Sequence, residues 1–314
     1  MTSGDRKPVI GFIGLGAMGA PMARRLLGAG YEVLLCDAEP GRAETLAKEA
    51  GGRPASPREI GGQADVIITM LPNSAIVEQV LLGPDGALTD LRAGAAVVEM
   101  SSGDPVRTRA LAETVRERGG RFVDAPVSGG VPRAVTGDLA IMAGGDDEDV
   151  AYVTDVLSVM GSSVTRTGEV GSAHAMKALN NLCSAGGFLI GIEVLLIGKR
   201  FGLSPEMMVD VLNASTGMNN STKRKFRQYV LSRSFDSAFS LDLLVKDLDI
   251  ALGLAHATGT TAPITEATVE YCQAARHELG PGRDHTELAR YAEHLAGTVL
   301  ADTPTPPETA EPAT

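Results

Sequence analysis

Apolar positions follow two different periods along this 314-residue chain, and the change from one to the other divides it. Residues 8–37, PVIGFIGLGAMGAPMARRLLGAGYEVLLCD, read as a strand, a tight glycine turn, a helix and a second strand. Short apolar runs follow at 65–71 (DVIITML), 95–100 (AAVVEM), 121–127 (RFVDAPV) and 139–145 (LAIMAGG), the pattern of buried strands. Amphipathic helical stretches alternate with them. In 104–120, DPVRTRALAETVRERGG, Asp104 is placed to cap the helix and Pro105 to open it. Such alternation predicts a mostly parallel, doubly wound sheet.

After about residue 167 the strand signals stop. A long helical run covers 171–201, followed by PEMMVDVLNAS, LDLLVKDLDIALGLAHATG, PITEATVEYCQAARHELG and HTELARYAEHLAG. The expected fold is therefore α/β: an N-terminal Rossmann-like sheet over 1–168, then an all-α C-terminal domain over 169–301 that begins with a long interdomain helix. The Pro/Thr-rich tail 302–314 is expected to be disordered. The long helix carries an anomaly. Between Glu169 and Glu193 it is apolar except for one permanent charge, Lys177, and the poor helix formers Asn180 and Asn181.

Composition narrows the function classes. A net charge of −11 argues against nucleic acid, which needs a basic face. The run Lys223-Arg224-Lys225 reads as a solvated helix face. Cys36, Cys183 and Cys272 lie far apart with no CxxC pair, so neither a disulfide framework nor a zinc site is expected, and no His/Asp/Glu cluster has metal-ligand spacing. The N-terminus shows no signal-peptide pattern, and the apolar run GFLIGIEVLLIG reads as too short to span a bilayer. A cytoplasmic protein without membrane or nucleic-acid partners is the expectation.

Gly14-Leu15-Gly16-Ala17-Met18-Gly19 fits G-x-G-x-x-G, follows a strand and opens a helix, and Asp37 ends the next strand. In that layout Gly14 permits the turn, Gly16 lets a pyrophosphate approach the backbone, and Gly19 packs helix on strand. Asp37 then accepts from the adenosine ribose hydroxyls. Asp37-Ala38-Glu39 places carboxylates where a 2′-phosphate wants arginine, which favours NAD; the nearest base, Arg42, keeps NADP open.

Lys177 and Asn181 share a helix face, with Asn180 beside them. A lone lysine on an apolar helix is often a snorkelling side chain. Directly after a dinucleotide domain, though, a proton-transferring group with a neighbouring amide suits a substrate meeting a nicotinamide. The segments GFIGLGAMGAPMARRL, TMLPNS (69–74), EMSSGDP (99–105), DAPVSGGVPRAVTGDLAIMAGG (124–145), GSAHAMKALNN (171–181) and FSLDLLVKDLDIAL (239–252) occur in one order. In these the chain resembles the β-hydroxyacid dehydrogenases, over residues 9–298.

The resemblance implies that Lys177 is the catalytic acid/base and that Asn181 holds the reacting oxygen or the carboxylate. It implies that Ser128, Gly129 and Gly130 cradle the substrate carboxylate, and that Leu71, Pro72, Ser102 and Lys246 lie along the cofactor. Phe239 and Asp247 would close the cleft from the helical domain. A free lysine, with a pKa of about 10.4, is protonated at neutrality, so this role needs an environment that lowers it. Homodimers or homotetramers are implied, and the glycines 186, 187 and 191 suggest close helix packing, within the chain or across subunits. Ser102 stands where the family commonly has threonine, and Arg25 where asparagine is frequent. Arg133 is either a second anchor for an anionic substrate or solvated. Asn219–Ser221 either binds substrate hydroxyls or forms an inter-helix turn, and His174 reads as a packed core histidine. Competing readings are an NADPH-preferring semialdehyde or imine reductase on the same fold, and a non-catalytic cofactor-binding scaffold. Lys177 speaks against the imine reductase and the scaffold.

Overall fold

A computed structural model describes residues 6–301; the expectation for 302–314 lies outside the described residues. The chain divides into two compact units, residues 1–180 and 181–314. The expected boundary at 168/169 thus falls before the first turns of the long helix, Ser172–Phe201, which belong with the sheet.

The first unit is built on nine strands: β1 (Ile10–Ile13), β2 (Val33–Cys36), β3 (Arg53–Pro54), β4 (Val66–Thr69), β5 (Ala96–Glu99), β6 (Arg121–Asp124), β7 (Val127–Ser128), β8 (Leu139–Gly144) and β9 (Gly161–Gly168). Their order is β3-β2-β1-β4-β5-β6-β8-β7, with β9 paired to β8. The pairs from β3 to β6 are parallel, β8 runs antiparallel to β6 and β7, and β9 is parallel to β8. β1, β4 and β5 are buried on both faces, as their unbroken apolar runs require. Alternation sends Ile10, Phe12, Val66, Ile68 and Val98 into one core layer and Ile13, Ile67 and Val97 into the other. Because β2 and β4 flank β1 on opposite sides, the turn after β1 sits at the topological switch point, where such sheets bind ligands. Asp104 caps the helix Pro105–Glu117 as expected, accepting from Val106 N and Arg107 N at 2.8 and 3.3 Å.

The second unit is helical: Pro205–Asn213, Asn220–Arg224, Leu241–Ala257, Pro263–Leu279 and Leu288–Ala296, with a wide π-turn segment at Phe226–Leu231. Phe188, Ile192 and Leu195 of the long helix form its core with Phe226, Val245, Leu248, Cys272 and Leu288. Two of the three helix glycines meet neighbours within the chain. A Cβ at Gly191 would lie 2.5 Å from the Phe226 ring, Gly187 lies against Asn219, and Gly186 faces open space. The Ser172–Phe201 helix is long and apolar enough to cross a membrane, unlike the shorter run read from sequence, but one face of it supplies this core.

Candidate active site

The turn after β1 has the geometry of a phosphate cradle. Gly14 has φ +99°, and a Cβ on Gly19 would come within 1.8 Å of the Gly14 carbonyl oxygen, so neither position accepts a side chain. At Gly16, by contrast, nothing lies within 4 Å of a built Cβ, and no side chain caps the helix Gly19–Gly28 that follows. Room above Gly16 and an uncapped helix start fit a dinucleotide pyrophosphate.

Asp37, at the end of β2, is turned into this turn. Its Oδ2 accepts from Leu15 N at 2.6 Å, and its Oδ1 accepts from Glu39 N at 2.8 Å and Arg42 Nη1 at 3.2 Å. A carboxylate offers about four acceptor positions, so these three donors leave about one for a ribose hydroxyl. Arg42 is paired with Glu39 as well, so both acids hold it. At the same end of the sheet Leu71 is half-buried, Pro72 exposed and Ser102 half-buried. The loops carrying them are tied together where Leu71 N donates to Ser101 Oγ at 2.9 Å. The Ser101 hydroxyl, unremarked in the sequence, therefore holds this rim.

Ser128 is half-buried, and Gly129 (φ +137°) and Gly130 (φ +68°) are exposed, opening the helix Gly130–Thr136. A Cβ on Gly129 would lie 2.5 Å from Arg133 Cδ, so the Arg133 stem packs on this turn while the residue stays exposed.

The lysine-bearing helix is seated by residues that sequence reasoning missed. Asp124, fully buried at the end of β6, accepts from Gly171 N at 2.8 Å and from Ala173 N and His174 N at 3.0 Å. An aspartate in that place both caps the helix and complements its dipole. The β5–β6 register sets Glu99 beside Asp124, and His174 Nε2 lies 2.8 Å from Glu99 Oε2 and 3.0 Å from Ser101 O. His174 Nδ1 lies 2.8 Å from Thr108 Oγ1, which itself donates to Asp104 O. With the Thr108 hydrogen so committed, both ring nitrogens act as donors, the state of an imidazolium. Burial opposes that charge, but Glu99 and then Asp124 outweigh it, and the His174 pKa stands above its ordinary value. His174 is thus more than a packed core histidine: it is half of a buried ion pair one turn before Lys177. Lys177 is half-buried, as is Asn180.

In the helical unit, Asn181 (8% exposed) donates through Nδ2 to Asp247 Oδ2 at 2.5 Å. Lys246 Nζ lies 2.8 Å from Asp247 Oδ1, near enough to pair in charge though off the hydrogen-bond direction. Asp247 therefore meets both the amide and the lysine. Phe239 stands edge-on to His285 with ring centroids 5.4 Å apart. Asn219 is a helix cap rather than a substrate ligand: its side chain accepts from Ser221 N and Thr222 N and donates to Gly187 O. Lys225, read from sequence as solvated, is half-buried, whereas Lys223 and Arg224 are exposed. Among the described residues no cluster of three or more His, Cys, Asp or Glu has metal-binding geometry.

A phosphate cradle at the switch point of a parallel sheet, followed by a seated lysine helix, marks the chain as a nicotinamide-dependent oxidoreductase. Residues 9–168 match the family described as the NAD binding domain of 6-phosphogluconate dehydrogenase, and residues 171–292 that described as NAD-binding of NADP-dependent 3-hydroxyisobutyrate dehydrogenase. The chain is 34% identical over 293 residues to 2-(hydroxymethyl)glutarate dehydrogenase of Eubacterium barkeri, covering 93% of this chain and 97% of that one. To mitochondrial 3-hydroxyisobutyrate dehydrogenase of Mus musculus it is 37% identical over 265 residues, covering 82% and 78%. The solved structure of Mycobacterium tuberculosis 3-hydroxyisobutyrate dehydrogenase with L-serine superposes with a TM-score of 0.83 at 29% identity, covering 91% and 99%. The chain belongs to the β-hydroxyacid dehydrogenase family and is an NAD(P)-dependent hydroxyacid dehydrogenase.

Proposed function

We propose that the protein oxidises a short 3-hydroxy acid, or reduces the corresponding semialdehyde, with Lys177 as the acid/base. The carrying observation is the seating of the lysine helix by Asp124 and the Glu99–His174 pair, which fixes where Lys177 stands. Bound nicotinamide supplies the hydride acceptor. The Lys177 amine takes the hydroxyl proton as hydride leaves the same carbon, and returns it in the reverse direction. Ser128 with the Gly129 and Gly130 backbone receives the substrate carboxylate, and Asn181, oriented by Asp247, holds the oxygen. Turnover assays followed by nicotinamide absorbance, over a panel of short hydroxy acids and semialdehydes, test this. Lys177→Ala should lower kcat by about 10²- to 10⁴-fold with the fold intact; a variant as active as wild type would remove Lys177 from the mechanism.

NAD is the cofactor we assign, because Asp37 and Glu39 both hold Arg42 and a 2′-phosphate would have to displace them. An NADPH-preferring semialdehyde reductase requires Arg42 to leave both acids. For a partner we assign a second copy of the chain. Met176, Leu179, Ile190, Ile197 and Phe201 are exposed, at 44, 44, 56, 69 and 84%. At 3.6 residues per turn they fall within a stripe about 60° wide along the helix. Sedimentation giving a monomer at micromolar concentration would refute that assignment. The cytoplasm is the compartment we assign, on the spaced, unpaired cysteines.

A further inference from the structure

Lys225 is a lysine of the helical unit that the functional reading does not use. It follows the short helix Asn220–Arg224 and immediately precedes the π-turn segment Phe226–Leu231, a widening that recurs at functional sites. Lys223 and Arg224 are exposed, but Lys225 is half-buried and reaches the long helix. Its Nζ lies 3.2 Å from Ser184 Oγ and 5.3 Å from the centroid of the Phe188 ring. Ser184 and Phe188 are four residues apart and so share a helix face. Phe188 is fully buried, and the His285 ring lies against it with centroids 5.8 Å apart. All of these residues belong to the second unit.

A lysine drawn out of water holds its proton firmly only where an anion offsets the lost hydration. Among the described residues Lys225 makes no ion pair within 4 Å, unlike Lys246, which has Asp247 at 2.8 Å. Asp284, the acid whose charge acts on Lys225, is committed to Ser237 Oγ at 2.8 and 2.9 Å and to Thr286 N at 2.9 Å. The neighbouring His285 adds no charge: burial and then the Lys225 charge lower its pKa to about 4. At Lys225 burial likewise outweighs Asp284 and draws the pKa down to about 8. About a fifth of this amine is then neutral at pH 7.4, against about a thousandth of a free lysine at about 10.4. A desolvated amine with a hydroxyl beside it and no touching carboxylate is equipped to attack a carbonyl carbon.

We propose that Lys225 is a covalent carbonyl-binding site, at which Nζ, held by the Ser184 hydroxyl, condenses reversibly with short aldehydes. The nitrogen lone pair forms a C–N bond to the carbonyl carbon as the carbonyl π pair moves to oxygen, and a nitrogen proton passes to that oxygen. The carbinolamine then loses water and leaves a C=N bond. Nothing is oxidised or reduced, and water reverses the step. Oxidation of a primary 3-hydroxy acid produces an aldehyde of this class, so the site fills as product accumulates and empties as product is consumed. That source of aldehyde rests on the hydroxy-acid reading above; the reactivity of the amine does not.

The test exposes the full chain to propanal at pH 7.4 with cyanoborohydride, which fixes each imine as a secondary amine, and reads the adducts by peptide mapping. Lys223, exposed and two residues away, is the internal reference, and Arg224 between them lets the map resolve the two. The neutral fraction favours Lys225 by about 200-fold over a free lysine. Its weaker nucleophilicity, at a Brønsted slope of about 0.4–0.5, gives back about 10- to 15-fold, so Lys225 should label about tenfold or more faster than Lys223. In guanidinium chloride the two should label within about twofold of each other. Ser184→Asp sets a carboxylate beside the nitrogen and should bring the native ratio to about threefold or less, whereas the isosteric Ser184→Asn should keep it. A ratio lost with aspartate and kept with asparagine reports charge rather than misfolding. A native ratio near one, a ratio unchanged in guanidinium chloride, or equal ratios in the two variants overturns the proposal and leaves the hydroxy-acid reading standing. Hydroxy acids that fail to turn over while Lys225 still labels tenfold faster refute that reading alone and leave the carbonyl site standing.

Discussion

Glu99→Gln probes the seat of the lysine helix more directly than any other single change. Glu99 is 3% exposed and His174 1%, so each charge depends on the other for its burial. Burial alone would raise the Glu99 pKa; the His174 charge and hydrogen bond outweigh it and hold the carboxyl below its usual range. The histidine is raised in turn by Glu99 and Asp124. A raised histidine stabilises the fold below its unfolded value of about 6.5, and that stability is lost as pH climbs through the folded value. A lowered glutamate stabilises above its unfolded value of about 4.3, and that stability is lost as pH falls through the folded value. The full contribution therefore lies between about pH 4.5 and 6.5 and fades on both sides.

Removing one partner of a buried pair costs about 3–5 kcal/mol. Glutamine still accepts from the imidazole, so the lower end, about 3 kcal/mol, applies, a fall in melting midpoint of about 6–12 °C. The assay is urea unfolding by circular dichroism at pH 6 and pH 9 for wild type, Glu99→Gln, His174→Gln and the double variant. Each single variant should lose more at pH 6 than at pH 9, and the double variant should lose less than the sum. Losses below about 1 kcal/mol, additive and equal at the two pH values, would mean that the pair is not ionised and the derivation is wrong.

Gly19→Ala places a methyl 1.8 Å from the Gly14 carbonyl and should both destabilise the fold and abolish NADH binding, whereas Gly16→Val meets open space and should lose NADH binding, by fluorescence titration, with the melting temperature kept. Asp37→Ser releases Arg42 from one of its two acids, and the NAD/NADP ratio of kcat/KM should fall by at least about tenfold, one partner of a charge pair being worth that much. Ile197→Glu with Phe201→Glu, on residues 69 and 84% exposed, should shift sedimentation toward the monomer without lowering the monomer's own stability.

Most of the sheet was legible because β1, β2, β4, β5, β6 and β8 are apolar and bounded by turns. β3 and β7 have two residues each, too few to carry a period, and β9 is a largely exposed edge strand reading GSSVTRTG. The glycine motif was legible because its spacing is local. The network of Glu99, Asp124 and His174 was not, since these residues lie far apart in sequence and meet only through the β5–β6 register and the return of the chain at Gly171. Lys225 was hidden for a different reason: a helical period assigns all of Lys223-Arg224-Lys225 to solvent, and only the switch to a wider turn at Phe226 separates the third residue from the other two.

The Ser172–Phe201 helix explains why Lys177 can stand on so apolar a segment. Its start is fixed by three backbone bonds to Asp124 and by the His174 ion pair, so its orientation does not depend on hydrophobic burial near the lysine. Farther along, Ala185, Phe188, Ile192, Leu195 and Leu196 bury into the helical core, while the stripe from Met176 to Phe201 stays exposed. The apolar character of the segment is thus divided between a core face and an open face. The polar residues Lys177, Asn181 and Ser184 form a narrow band on the same side of the helix as Phe188 and Leu195, nearer its start, at a spacing that one helix sets. A residue inserted between Lys177 and Asn181 would rotate the band by about 100° and part the lysine from the amide without removing either chemical group. Such an insertion should abolish turnover while NADH binding at the glycine turn survives; retention of both would show that the shared helix face is not what aligns them.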